Sequence, residues 1–171
     1  MKKKAVFFDR DGIVNLRPVG DYVKTIEDFR LLPDFLDFFV KIKEKGFVAI
    51  LISNQQGVGK GLMSESDLMF LNDFMQNELM LRLGVKFDDA YYCTSLAGEN
   101  SPRRKPEPGM LLEAIEEWNI NHNDSWMIGD SESDIIAGKR AGVRTIFVTN
   151  APVPADLNPD IVCKSLAEIE I

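Results

Sequence analysis

The stretch Ala5-Val6-Phe7-Phe8-Asp9-Arg10-Asp11-Gly12 sets two carboxylates directly after a short apolar run. That run has the length and residue types of a strand buried on both faces. In an open parallel sheet the ligand crevice lies outside the carboxyl ends of the strands, so acids placed there face a substrate rather than the core. Asp9 and Asp11 are two residues apart, and on extended chain their side chains can point the same way. Close carboxylates repel, and a divalent cation or a proton bound between them relieves the repulsion. The pair predicts a hard metal ion, magnesium before others.

Outward from this stretch, short β-type runs at 5–8, 47–52, 89–93, 125–128 and 145–148 alternate with helical patterns. Pro33 suits a first helical turn, and Phe35, Leu36, Phe38, Phe39, Val40 and Ile42 form an apolar face that ends before Gly46. A second helix is expected from Ser64 to about Leu83, with Ser64 and Asp67 in a capping arrangement. A third is expected near Glu107, and a fourth runs through Ile135 to Ala141 behind Ser131 and Ser133. Strand then helix, repeated, implies right-handed crossovers and an α/β fold of Rossmann-like three-layer α/β/α type around a mostly parallel sheet. The 171 residues are expected to form one domain, 1–171, without an inserted cap.

The formal charge of -7 speaks against general affinity for nucleic-acid backbones. Cys93 and Cys163 lack a CxxC spacing and read as small buried hydrophobes in a reducing compartment, so neither a disulfide framework nor structural zinc is expected. No apolar run approaches the roughly 18 residues a membrane span needs, and the basic start at Lys2-Lys3-Lys4 lacks the rest of a secretory signal. A cytoplasmic protein with no membrane partner is the expectation. His122, in a polar loop, reads as surface; Trp118 and Trp126 read as packing residues.

Polar groups follow strand after strand at the same sheet edge. Ser53, Asn54 and Gln55 offer hydroxyl and amide donors for phosphate oxygens, and Arg104-Lys105-Pro106 supplies two cations. Gly129-Asp130 ends a further strand and brings a third carboxylate. These four segments, in this order, resemble the four motifs of the haloacid dehalogenase (HAD) superfamily of phosphohydrolases. In the form Asp9-Arg10-Asp11-Gly12-Ile13-Val14-Asn15, Ser53-Asn54-Gln55, Arg104-Lys105-Pro106-Glu107-Pro108-Gly109-Met110 and Gly129-Asp130, they are similar to the histidinol-phosphate and heptose bisphosphate phosphatase group.

The resemblance implies a phosphomonoesterase acting on a small phosphorylated metabolite, such as D-glycero-D-manno-heptose 1,7-bisphosphate, through an aspartyl-phosphate. It makes Asp9 the nucleophile, Asp11 the general acid and base, and Lys105 the cation that stabilises the transferring oxygens. Mg2+, one per chain, would be held by the Asp9 side chain, the Asp11 backbone carbonyl and the Asp130 side chain. Ser53, Asn54, Gln55 and Arg104 would contact substrate, and Asp134 would hold a metal-bound water or its loop. Where the heptose phosphatases carry a zinc loop of three cysteines and a histidine, only Cys93 matches, so zinc is not expected.

The segment 16–30 and the glycine-rich 57–63 are the only covers for such a site, with Arg17, Asp21 and Tyr22 near the leaving group. A monomer or small homo-oligomer is consistent with this, a partner subunit serving as lid in the second case. Histidinol phosphate as substrate stays open. So do a nucleic-acid 3′-end phosphatase, which the few cations at Lys60, Arg103 and Arg104 disfavour, and a noncatalytic binding domain, which the occupied catalytic positions disfavour.

Overall fold

The computed structural model describes residues 2–171. Six strands, β1 (Ala5–Phe8), β2 (Val48–Asn54), β3 (Asp89–Cys93), β4 (Trp126–Gly129), β5 (Arg144–Val148) and β6 (Ile161–Cys163), form one sheet in the order β3-β2-β1-β4-β5-β6. Every neighbouring pair is parallel. β1 lies between β2 and β4, with Phe8 level with Leu51 on one side and Ile128 on the other. The residues that follow these three strands therefore emerge side by side. The sheet order reverses at β1, where open α/β sheets form their ligand crevice.

The helices are α1 (Pro33–Glu44), α2 (Gln56–Gly59), α3 (Glu65–Leu83), α4 (Gly109–Glu117) and α5 (Glu132–Arg140). Alternation along β1 divides the core in two. Val6 and Phe8 point into a cluster with Phe35 and Phe39 of α1 and Leu71 and Met75 of α3. Ala5 and Phe7 point to the other face, against Met110 and Ala114 of α4 and Ala137 of α5. Phe8 makes edge-on contacts with Phe35 at 5.8 Å and Phe87 at 5.6 Å between ring centroids. That geometry directs ring edges at ring faces, and fully burying each such side chain contributes about 1.5–3 kcal/mol.

The capping arrangement at α3 is present: the Asp67 amide donates to Ser64 Oγ at 3.1 Å and the Ser64 amide to Asp67 Oδ2 at 2.8 Å. Three details differ from the sequence reading. α4 starts at Gly109 rather than near Glu107, because the residue before a proline is pushed out of helical conformation and Glu107 precedes Pro108. β2 runs on to Asn54, with Ser53 and Asn54 paired to Tyr92 and Cys93. β6 and the one-turn α2 were not expected at all; both are too short to show a period. No described helix is long and apolar enough to cross a membrane.

Candidate active site

Asp9 is the first residue past β1, and its amide donates to the Ile128 carbonyl at 3.0 Å, which fixes it against β4. Its side chain is almost fully buried beside Lys105. Lys105 comes from the loop between β3 and α4, where Asn54 grips its backbone through both the N–H (3.1 Å) and the carbonyl (3.0 Å). The ammonium donates to Asp9 Oδ1 at 2.8 Å and to the Ile52 carbonyl at 2.7 Å, and it pairs with Asp134 Oδ1 at 2.7 Å. All three of its donors are engaged. Burial pushes the Asp9 carboxyl up to about 7, with Lys105 opposing the shift and Asp134 adding to it. Burial works against the Lys105 charge, but the two carboxylates outweigh it and its proton affinity rises.

Asp11 is turned the other way. Arg10 donates to it through Nε (to Oδ1, 3.1 Å) and Nη2 (to Oδ2, 3.1 Å), Asn15 through Nδ2 (2.9 Å) and Gln55 through Nε2 (3.0 Å). Burial favours a proton on this carboxyl, yet the Arg10 charge and these hydrogen bonds prevail and hold it below the usual range. The turn that brings Asn15 back under Asp11 needs Gly12, at φ +102°: a Cβ there would lie 2.0 Å from Asp130 Oδ2.

Asp130 follows β4, and burial raises its carboxyl to about 6, with Arg17 pulling it down. Arg17 Nη2 donates to the Asp11 carbonyl at 2.7 Å and to Asp130 Oδ1 at 2.9 Å, and stands 3.6 Å from Asp9 Oδ2. Asp9, Asp130 and Asp134 each offer a carboxylate oxygen within 4.8 Å of the others. Both Asp134 oxygens already have partners, Lys105 on one and the Ser131 amide (3.1 Å) and hydroxyl (2.6 Å) on the other. Asp9, Asp130 and the Asp11 carbonyl, the set the family resemblance implies, lie together around Arg17 Nη2 and offer only oxygen donors, which suits a hard cation such as magnesium.

A hollow of about 210 Å³ opens over Asp9, Asp11 and Lys105. Asn54 links it to two wider clefts, one of about 470 Å³ beside Arg17, Tyr22 and Lys60. The other, about 590 Å³, lies beside Ser101, Arg104 and Ser133.

Known proteins resemble this chain along nearly its whole length. A HAD-hydrolase-like family model matches residues 102–169. The D-glycero-beta-D-manno-heptose-1,7-bisphosphate 7-phosphatase of Pasteurella multocida is 37% identical, over 98% of this chain and 95% of its own. The enzyme of the same name from Helicobacter pylori strain J99 is 36% identical over 97% and 94%. The chain belongs to the HAD-like phosphatases. Among solved structures, the D,D-heptose 1,7-bisphosphate phosphatase of B. bronchiseptica, complexed with magnesium and phosphate, superposes with a TM-score of 0.86 at 25% identity, covering 96% of this chain and 94% of that one. The protein is thus a hydrolase of phosphoric monoesters, on the fold read from its sequence.

Within this HAD-like site the residues expected to touch substrate divide. Asn54 borders all three cavities. Ser53 and Gln55 do not border them: both are buried, the Gln55 amide donating to Ser53 Oγ (2.9 Å) as well as to Asp11. Their geometry serves Asp11 rather than an open cavity. Arg104 borders the wider cleft, but its guanidinium also donates to the Ser95 carbonyl (3.0 Å) and Gln56 Oε1 (2.7 Å). Those bonds tie down the loop after β3, with Cys93 Sγ beside Ser101 Oγ at 3.7 Å. Asp134 meets Lys105 and its own helix start. Arg10 and Asn15 are further partners of Asp11; for Arg10 the signal in the sequence is a charged residue flanked by two acids at a buried strand end.

Proposed function

We propose that the protein is a magnesium-dependent phosphatase that removes one phosphate from a heptose 1,7-bisphosphate, with residues 1–171 acting as one catalytic domain. The observation that carries the reading is the division of labour between two acids at one strand end: both border the hollow, Asp9 paired with Lys105 and Asp11 gripped by Arg10, Asn15 and Gln55. The relatives' named substrate and the full-length match support the sugar. A magnesium ion bound by Asp9, Asp130 and the Asp11 carbonyl would neutralise charge between the anionic nucleophile and the anionic substrate.

An Asp9 carboxylate oxygen attacks phosphorus, the bond to the alcohol oxygen breaks, and Asp11 gives that oxygen its proton. Asp11 then takes a proton from a water that attacks the phosphoaspartate, releasing phosphate and restoring Asp9. The Arg10 charge keeps Asp11 ready as a base. The arriving phosphate dianion opposes that charge and raises Asp11's proton affinity for the first step. Lys105 stabilises the transferring oxygens, and Asn54 holds Lys105 in place while its own amide borders the cavity. Zinc has no part in this reading: three of the four ligand positions are lost, and Arg104 orders the loop instead.

The test is phosphate release from a panel of heptose mono- and bisphosphates, histidinol phosphate, nucleotides and 3′-phosphorylated oligonucleotides, with Asp9→Asn as blank. The highest kcat/KM on a heptose bisphosphate is expected. Preference for another compound on the panel would reassign the substrate, and no release from any would overturn the reading.

A further inference from the structure

One nitrogen of Arg17 touches all three groups assigned above to the metal. Nη2 lies 2.7 Å from the Asp11 carbonyl, 2.9 Å from Asp130 Oδ1 and 3.6 Å from Asp9 Oδ2. A magnesium ion would have to sit about 2.0–2.1 Å from the same oxygens, inside the van der Waals envelope of that nitrogen. The two cations exclude each other. We propose that Arg17 is a displaceable internal cation of the metal site: guanidinium and divalent ion take the same oxygens by turns, and metal entry requires Arg17 to swing aside.

The two cations at the site are held very differently. Lys105 is buried, with three partners, and has nowhere to go. Arg17 is half exposed on the segment after β1, between exposed Leu16 and the loop that reaches Val19, and it borders the cleft of about 470 Å³ shared with Tyr22 and Lys60. Room to move lies on its open side. Charge favours the exchange as well. Three carboxylates, Asp9, Asp130 and Asp134, face only Lys105 and Arg17, whereas a divalent ion in Arg17's place balances them. Arg17 also has backbone help from the Asp11 carbonyl through Nε at 3.0 Å, so its grip is two-pronged and oriented rather than a chance surface pair. The consequence is that Asp9 keeps a shielded carboxylate until metal arrives, and that the apparent metal affinity is reduced by the fraction of molecules with Arg17 seated.

The inference rests on the metal site proposed above, and one experiment separates the two. Mg2+ binding is measured by calorimetry on the full chain and on Arg17→Ala and Arg17→Gln, with Mn2+ electron paramagnetic resonance as a second probe and melting curves in chelator. Both variants should bind Mg2+ about fivefold more tightly, the scale expected from removing a half-exposed ion pair. They should melt below the parent in chelator, and the gap should close at saturating Mg2+ as the ion takes over the carboxylates. Parent-like or weaker Mg2+ binding in both folded variants would overturn the role of Arg17 alone. If the parent binds no Mg2+, or if Asp9→Asn and Asp130→Asn leave its binding unchanged, the metal site itself falls.

Discussion

Lys105 and Asp9, 96 positions apart in the chain, meet at 2.8 Å with both side chains buried. The contact joins the loop after β3 to the end of β1, and the same ammonium also pairs with Asp134 at 2.7 Å, so one cation separates two buried carboxylates. Removing the cation would leave two buried carboxylates facing each other.

Lys105→Met should therefore lose activity and about 3–5 kcal/mol of stability near neutral pH, the cost of breaking a buried ion pair. The loss should shrink as pH falls, because Asp9, whose carboxyl burial raises to about 7, then takes a proton and no longer repels Asp134. Urea unfolding of parent and variant at acidic and neutral pH measures this; an equal loss at both would count against the buried triad.

Gln55→Leu should lower kcat by about 10–100-fold with little change in KM, since Gln55 orients Asp11 and does not border the cavity. A rise in KM at unchanged kcat would return Gln55 to substrate binding. Steady-state kinetics on the preferred compound decides between these roles.

Metal affinity should rise with pH across the range in which Asp9, at about 7, and Asp130, at about 6, lose their protons. In the metal-free fold the raised Asp9 value contributes stability at low pH that is lost as pH rises through about 7, because the folded state holds the proton longer than the unfolded one. Mg2+ should accordingly raise the melting temperature more at pH 8 than at pH 6, and release protons on binding at pH 6. Calorimetry in two buffers of different ionisation enthalpy reads the proton release directly.

Phe8→Ala should cost about 3–5 kcal/mol, because the ring is the hub of contacts with Phe35, Phe38, Phe39 and Phe87 and no neighbour can fill its place. Denaturant unfolding with an unchanged slope gives the number.

Much of this architecture is legible in the sequence. Apolar runs ending in acids or amides announced β1, β2 and β4, and these are the strands whose register lines up Asp9, Asn54 and Asp130. β6 was not legible, because three residues behind a polar coil carry no period and are recognised only by pairing with β5. Side-chain direction was the larger gap. Ser53, Asn54 and Gln55 are consecutive, yet only Asn54 borders the cavities, since alternation at the end of β2 and the turn into α2 send its neighbours toward Asp11. Arg17 was assigned to the leaving group, and its position among the metal-site oxygens depends on the path of 12–16, fixed by Gly12 and Asn15.

Nucleophilic attack by Asp9 is the central claim, and trapping the intermediate tests it most directly. The protein would be mixed with excess substrate and Mg2+, quenched in acid within a turnover and digested, and the peptide carrying Asp9 weighed. A phosphoryl adduct on Asp9, absent from Asp9→Asn and lost on mild alkali, is the predicted result. A fully active protein that never carries the adduct, or an Asp9→Asn variant that still turns over at a substantial rate, would contradict the account.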